Sequence, residues 1–439
     1  MTWPEILTTI ILTKTISSSK NKIIEFISTT IILYSILLLA TQSHTLTTHI
    51  WNNNIQLWII CAGTILITIT KTETLIQKIL ISLILTSITI TLIKNWITLY
   101  ITIELQTIIT ILIISLNTQN SQSKEAGIKY FILSAYSSTL FLISILIIYK
   151  NIYNIQTTHQ IITNTIFPTT FIILIILFKL GSSPFHTWLP DIFESTKSQY
   201  LTFLILIPKI AILSILITTN PHTNLILISG LLSTIIGAIG AINQKIKRLL
   251  AYSSINNTGI ILLSIHPHTL QSIQAALTHI ITYTISTTTI LTILHTKTLK
   301  KGLITEIFEN DKNQNKTNTS ISLLLLSLSG IPPLPGFLSK WLIITSIISN
   351  NIILTPIWIL ITNIPAAIYY LYITAHNFFK KKINTLPILK EKVSVNYKIA
   401  TLLFPSITIT IHPHTLLITT WTTSISILNM PTNNINPTN

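Results

Sequence analysis

The sequence is short of cysteine, acidic side chains and glycine. A single cysteine, Cys61, excludes an internal disulfide and any zinc or iron–sulfur centre built from several thiolates, so redox chemistry, if the protein takes part in it, belongs elsewhere. Charged residues make up only 9% of the 439 positions, against about 25% in a typical soluble domain. No Gly-x-Gly-x-x-Gly follows a strand-like run and no phosphate loop of the Gly-Lys-Ser/Thr kind occurs, which excludes the usual nicotinamide and ATP sites. The nearest approach, Gly237 to Gly240 in GAIGAI, lies inside an apolar run and reads as close helix packing.

What is abundant is apolar sequence. The mean hydropathy is +0.66 and 49% of residues are hydrophobic, the profile of an all-α, polytopic membrane protein. Apolar runs fall at about 3–17, 23–41, 55–71, 74–93, 95–116, 127–149, 165–181, 200–219, 223–243, 248–265, 270–294, 319–349, 352–375 and 399–428. That predicts about 14 transmembrane helices. The first run has no basic start and no small-residue cleavage site, so it reads as a span and not a signal. Thr and Ser are frequent inside the runs, where their hydroxyls can bond back to helix carbonyls.

The net charge of +16 sits in the connections between runs, not along one polar face, and so points to topology and not to nucleic acid. Odd-to-even connections carry Lys20, Lys124, Lys197, Lys245, Arg248, Lys301 and Lys380, whereas the others offer little beyond Lys94 and Lys150. By the positive-inside rule both ends of the chain face away from the cytoplasm or matrix.

Two runs are interrupted. Gly181-Ser182-Ser183-Pro184 follows Leu180, and Gly330-Ile331-Pro332-Pro333-Leu334-Pro335-Gly336 follows Ser329, so each helix should break at membrane depth. Paired breaks suggest two inverted five-helix repeats, at 74–219 and 220–375, between an N-terminal helical segment at 1–73 and a basic loop with a last span at 376–439.

Several charges lie where no loop can claim them: Glu104, Lys179, Lys209 and Lys340. An ionisable group in the bilayer costs about 2.5–3.5 kcal/mol on insertion scales, so such groups face a protein interior and have partners. Burial disfavours the charged form and an opposite charge favours it, so a Lys/Glu set can exchange protons as its geometry changes. Lys179 and Lys340 could instead cap carbonyls at the breaks, and Lys129 and Lys247 could snorkel. His186, beside the first break, is either a relay member or a structural histidine. The pairs His266/His268 and His412/His414 are loop-type HPH segments, and no metal is assigned to them.

The segments KLGSSPFHTWLPDIFES (Lys179–Ser195), EAGIKYFILSAYSS (Glu125–Ser138), FLILIPKIAI (from Phe203), QKIKRLLAYSSINNTG (Gln244–Gly259) and SLSGIPPLPGFLSKW (Ser327–Trp341) resemble the antiporter-like membrane subunits of respiratory complex I, the NADH:ubiquinone oxidoreductase. The resemblance implies a proton-translocating fold. Glu104 would be the glutamate of the first repeat and Lys209 its lysine partner, with Lys179 the broken-helix lysine. Lys247 would be the central lysine of the second repeat, Lys340 the exit-side residue and Lys129 an additional family lysine. It also implies that this chain binds no cofactor, while NADH, FMN, iron–sulfur clusters and ubiquinone belong to other membrane and peripheral subunits. Membrane lipids, cardiolipin among them, would be further partners. Glu194-Ser195-Thr196-Lys197 departs from the family's Glu-Gly-Ala-Pro-like continuation. Richness in Ile, Thr, Asn and Lys suits an AT-rich organellar gene, which points to a multi-pass protein of the mitochondrial inner membrane. A cation/proton antiporter of the Mrp type is the other reading.

Overall fold

A computed structural model describes residues 48–69, 74–93, 95–116, 121–153, 158–219, 224–296, 315–379 and 412–428, with Ser406 and Ile409. All regular structure among these is helical: α1 (Thr48–Ile69), α2 (Thr74–Leu92), α3 (Trp96–Ser115), α4 (Ser121–Tyr153), α5 (Thr158–Leu180), α6 (Trp188–Ser195) and α7 (Ser198–Thr218). Then follow α8 (Asn224–Gly240), α9 (Ile246–Ile265), α10 (Leu270–Thr296), α11 (Asn315–Ser329), α12 (Pro335–Ser349), α13 (Leu354–Phe379) and α14 (Pro413–Leu428). The expected runs at about 3–17 and 23–41, with Glu5 and Glu25, lie outside the described residues, as does the basic loop around Lys380.

Among the described residues six helices are long and apolar enough to cross a membrane, within α2, α3, α4, α7, α10 and α13. Shorter apolar helices, α5 from Pro168, α8, α11, α12 and α14, complete the set. Hydroxyls inside them satisfy themselves locally: Ser87 Oγ donates to the Ile84 carbonyl at 2.6 Å, and Thr110 Oγ1 donates to Thr107 at 2.7 Å. This is how so many Thr and Ser residues fit in an apolar environment without unmet donors.

The chain divides into two compact units. The first holds α1 to α5 and most of α7, with α1 to α5 packing each on the next in chain order. Much of α3 and α4 is left apolar and outward-facing, as Ile101, Ile108, Ile128, Phe131 and Ile143 show. The second unit holds α6 and α8 to α13. Its core joins Ile260 and Leu263 of α9, Ala275 of α10, Ile343 and Ile347 of α12, and Ile359 of α13. The Trp358 indole N–H of α13 reaches Thr234 Oγ1 of α8 at 3.2 Å. The closest helix pair is α8 on α9, where a Cβ at Gly237 would lie 2.7 Å from Asn256 Cα. GAIGAI is thus the packing motif its sequence suggests.

Both expected breaks are present. α5 stops at Leu180 and α11 at Ser329, each followed by a glycine in the left-handed region, Gly181 at φ 68° and Gly330 at φ 86°. Each chain then passes through a cis prolyl bond, Ser183-Pro184 and Pro332-Pro333, before the next helix begins.

Candidate functional site

In the first unit, α3 carries Glu104 and the last turn of α5 carries Lys179. Their charges face each other, Lys179 Nζ to Glu104 Oε1, at 3.8 Å. The lysine side chain is 3% exposed and the glutamate 26%. Neither Lys179 Nζ nor Glu104 Oε1 has a hydrogen-bond partner. The pair is therefore held by charge alone at a separation slightly beyond hydrogen-bond reach. Glu104 is steadied by Thr107 Oγ1, which donates to the Glu104 carbonyl at 2.8 Å and approaches its Oε2 at 3.4 Å. Tyr130 of α4 is buried near the same carboxylate and bonded to Thr110.

Lys209 lies in α7 of the same unit, 7% exposed and directly after Pro208, which denies the Leu204 carbonyl its helical donor. Lys129 is not drawn to Glu104. It pairs with Glu125, one turn earlier on α4, at 2.8 Å, with 51% of its side chain exposed.

In the second unit Lys340 terminates a helix. Its ammonium donates to the Leu328 carbonyl at 3.0 Å, the Ser329 carbonyl at 3.1 Å and Asn363 Oδ1 at 3.1 Å. A helix leaves its last four carbonyls without intrahelical donors. At α11, Leu326 accepts from the Ile331 N–H and Ser327 from the Gly330 N–H, and Lys340 takes the remaining two. Positive charge there also meets the negative end of the helix dipole. Gly330 makes the approach possible, because a Cβ would sit 2.9 Å from Lys340 Cδ. The two break lysines thus do different things: Lys340 caps carbonyls, while Lys179 faces a carboxylate.

Lys247 belongs to a cluster between α6 and the first turn of α9. Its Nζ donates to the Thr196 carbonyl. Glu194 pairs with Lys245 at 2.6 Å and with Arg248, which also reaches Asp191 at 3.5 Å. Burial pushes the Glu194 carboxyl up, but the Lys245 hydrogen bond and the Arg248 and Lys245 charges outweigh it and leave its pKa below the usual range. A lowered pKa means this contribution is complete at neutral pH, weakens as pH falls into the ordinary glutamate range and is gone below the lowered value. Glu194→Gln is expected to cost about 1 kcal/mol or less, as partly exposed pairs do, and to flatten the acid limb of a thermal-stability profile measured in mild detergent. His186, in the first break, is half-buried and bonds back to the Pro184 carbonyl.

Two residues that sequence reasoning did not single out join this chemistry, Asn363 and His279. Each is a lone polar group inside an apolar run, the only mark it leaves in the sequence. His279 Nδ1 lies 2.9 Å from Ser339 Oγ. Among the described residues, no three His, Cys, Asp or Glu side chains gather as a metal site.

Buried lysines at paired helix breaks in an apolar bundle define an antiporter-like membrane protein. Residues 94–364 match the family described as NADH:quinone oxidoreductase/Mrp antiporter, and the chain belongs to that family. It is 32% identical over 326 residues to NADH-ubiquinone oxidoreductase chain 2 of Metridium senile, covering 70% of this chain and 84% of that one. The fold matches a chain of the archaeal membrane-bound sulfane sulfur reductase with TM-score 0.83 at 18% identity, covering 97% of this chain and 96% of that one. It also matches a chain of respiratory complex I from Thermus thermophilus, with TM-score 0.80 at 18% identity and covering 94% and 97% respectively.

Proposed function

We propose that the chain is the subunit 2-type membrane subunit of a proton-translocating NADH:ubiquinone oxidoreductase in the mitochondrial inner membrane. The observation that carries this reading is the buried Glu104–Lys179 pair at 3.8 Å, with the lysine nitrogen free of hydrogen bonds. A small approach or retreat of α3 from α5 would change how strongly the carboxylate holds the ammonium, and so whether Lys179 keeps its proton. Lys209 receives and passes charge in the same repeat, Lys247 and Lys340 serve the second, and Lys129 and His186 are peripheral members. Energy released by electron transfer elsewhere in the assembly shifts these groups in turn. The repeats run over 74–219 and 220–375 within a fold of about fourteen spans, the usual plan when two interrupted helices recur in one chain. NADH, FMN, iron–sulfur clusters and ubiquinone stay with other subunits, and cardiolipin is among the lipids at the surface.

The family description also covers Mrp antiporters, which lack redox coupling. Solubilising the native assembly in mild detergent separates the two readings. Co-purification with flavin- and iron–sulfur-bearing subunits is expected, and an assembly free of both would sink the complex I reading.

A further inference from the structure

His279 lies mid-way along α10, 3% exposed, and meets α12 through Ser339. Counting hydrogens fixes the tautomer of its neutral ring. Ser339 has one hydroxyl hydrogen, and this goes to the Gly336 carbonyl at 3.1 Å. Ser339 Oγ must then accept from His279, so Nδ1 carries the ring proton. Nε2 is left as a bare lone pair, buried and without a hydrogen-bond partner. A buried acceptor in that condition is rare in folded proteins.

Nearby is a cavity with room for about one water, lined by His279, Lys340, Asn257, Tyr283 and Ser286. The three ammonium hydrogens of Lys340 are all engaged. Two of the acceptors are backbone carbonyls fixed by the end of α11. The third, Asn363 Oδ1, is a side-chain oxygen that can rotate away, so it marks the bond open to exchange.

The geometry points to His279 as the proton acceptor of Lys340, reached through a single water, with Asn363 holding the lysine when the exchange is off. As Asn363 withdraws, a Lys340 N–H bond breaks and the water gains that proton while giving another to His279 Nε2. The lysine becomes neutral and the ring becomes an imidazolium whose Nδ1–H stays on Ser339. No electrons leave and no other reactant is consumed. The titratable groups at the cavity are Lys340 from α12 and Tyr283 from α10 itself, with Tyr370 of α13 beyond Tyr283, while α9 and α11 present Asn257 and Ser327. This step deepens the proton-translocating reading and rests on it.

The test uses the assembled complex in vesicles, following NADH-driven proton uptake in water and in deuterium oxide. His279→Asn keeps an N–H for Ser339 but has no ring lone pair. It is expected to assemble, lose about tenfold or more of the uptake and show a larger solvent isotope effect. Ser339→Ala leaves the ring but frees Nδ1, and should lower uptake about threefold with the isotope effect raised as well. Lys340→Gln tests the parent reading alone. Lost uptake in Lys340→Gln beside normal uptake and isotope effect in His279→Asn overturns the role of His279 and leaves the parent reading standing. Normal uptake in Lys340→Gln removes both. Should His279→Asn not assemble, Ser339→Ala decides, and unchanged uptake there overturns the inference.

Discussion

Glu104→Gln in the assembled complex is expected to cut NADH-driven proton transport about a hundredfold, the lower end for removing a positioned acid–base group. Gln preserves the shape and the Thr107 contacts but removes the only charge facing Lys179 at 3.8 Å. An ammonium 3% exposed with no hydrogen bond cannot stay charged without a counter-ion, so Lys179 sheds its proton and stops cycling. Glu104→Asp retains the charge at a longer distance and should recover part of the loss. Transport at the unsubstituted rate in Glu104→Gln would take the pair out of the proton path.

The second large effect is structural. Gly237→Ala places a methyl group against the Asn256 backbone, 2.7 Å from its Cα, where neither helix can yield without moving. Backbone against backbone leaves no side chain to swing aside, so α8 and α9 must separate, at a cost of about 3 kcal/mol. The assembled complex should fall sharply in native gels. Gly127→Ala on α4 is the matching control. Its new methyl would meet only Ile114 Cγ2, at 3.8 Å, so the helix gains about 0.5–1 kcal/mol from the better helix former. Equal assembly of the two variants would show that the α8–α9 contact is looser than its geometry requires.

Helix positions were legible because hydropathy and punctuation agree over long stretches. The run expected at about 248–265 appears as Ile246–Ile265, and that at about 270–294 as Leu270–Thr296. The breaks were legible for a local reason, since Gly181 and Gly330 mark backbone that other residues rarely adopt. Side-chain partnership was harder to read. A lysine two residues before a break and one ten residues after it look alike in sequence, yet Lys179 meets a carboxylate and Lys340 meets carbonyls, because helices distant in the chain supply the partners. His279 and Asn363 went unnoticed for the same reason. One polar residue in an apolar run shows that something faces it, and only packing shows what.

At the end of α11 a single ammonium fastens two otherwise unclaimed carbonyls. Deprotonate it and one of its three acceptors must go without, so the ionisation of Lys340 and the shape of the main chain are one variable. A change of electric field acting on that nitrogen would be felt as a mechanical pull on the helix, and a tug on the helix would be felt as a change in acidity.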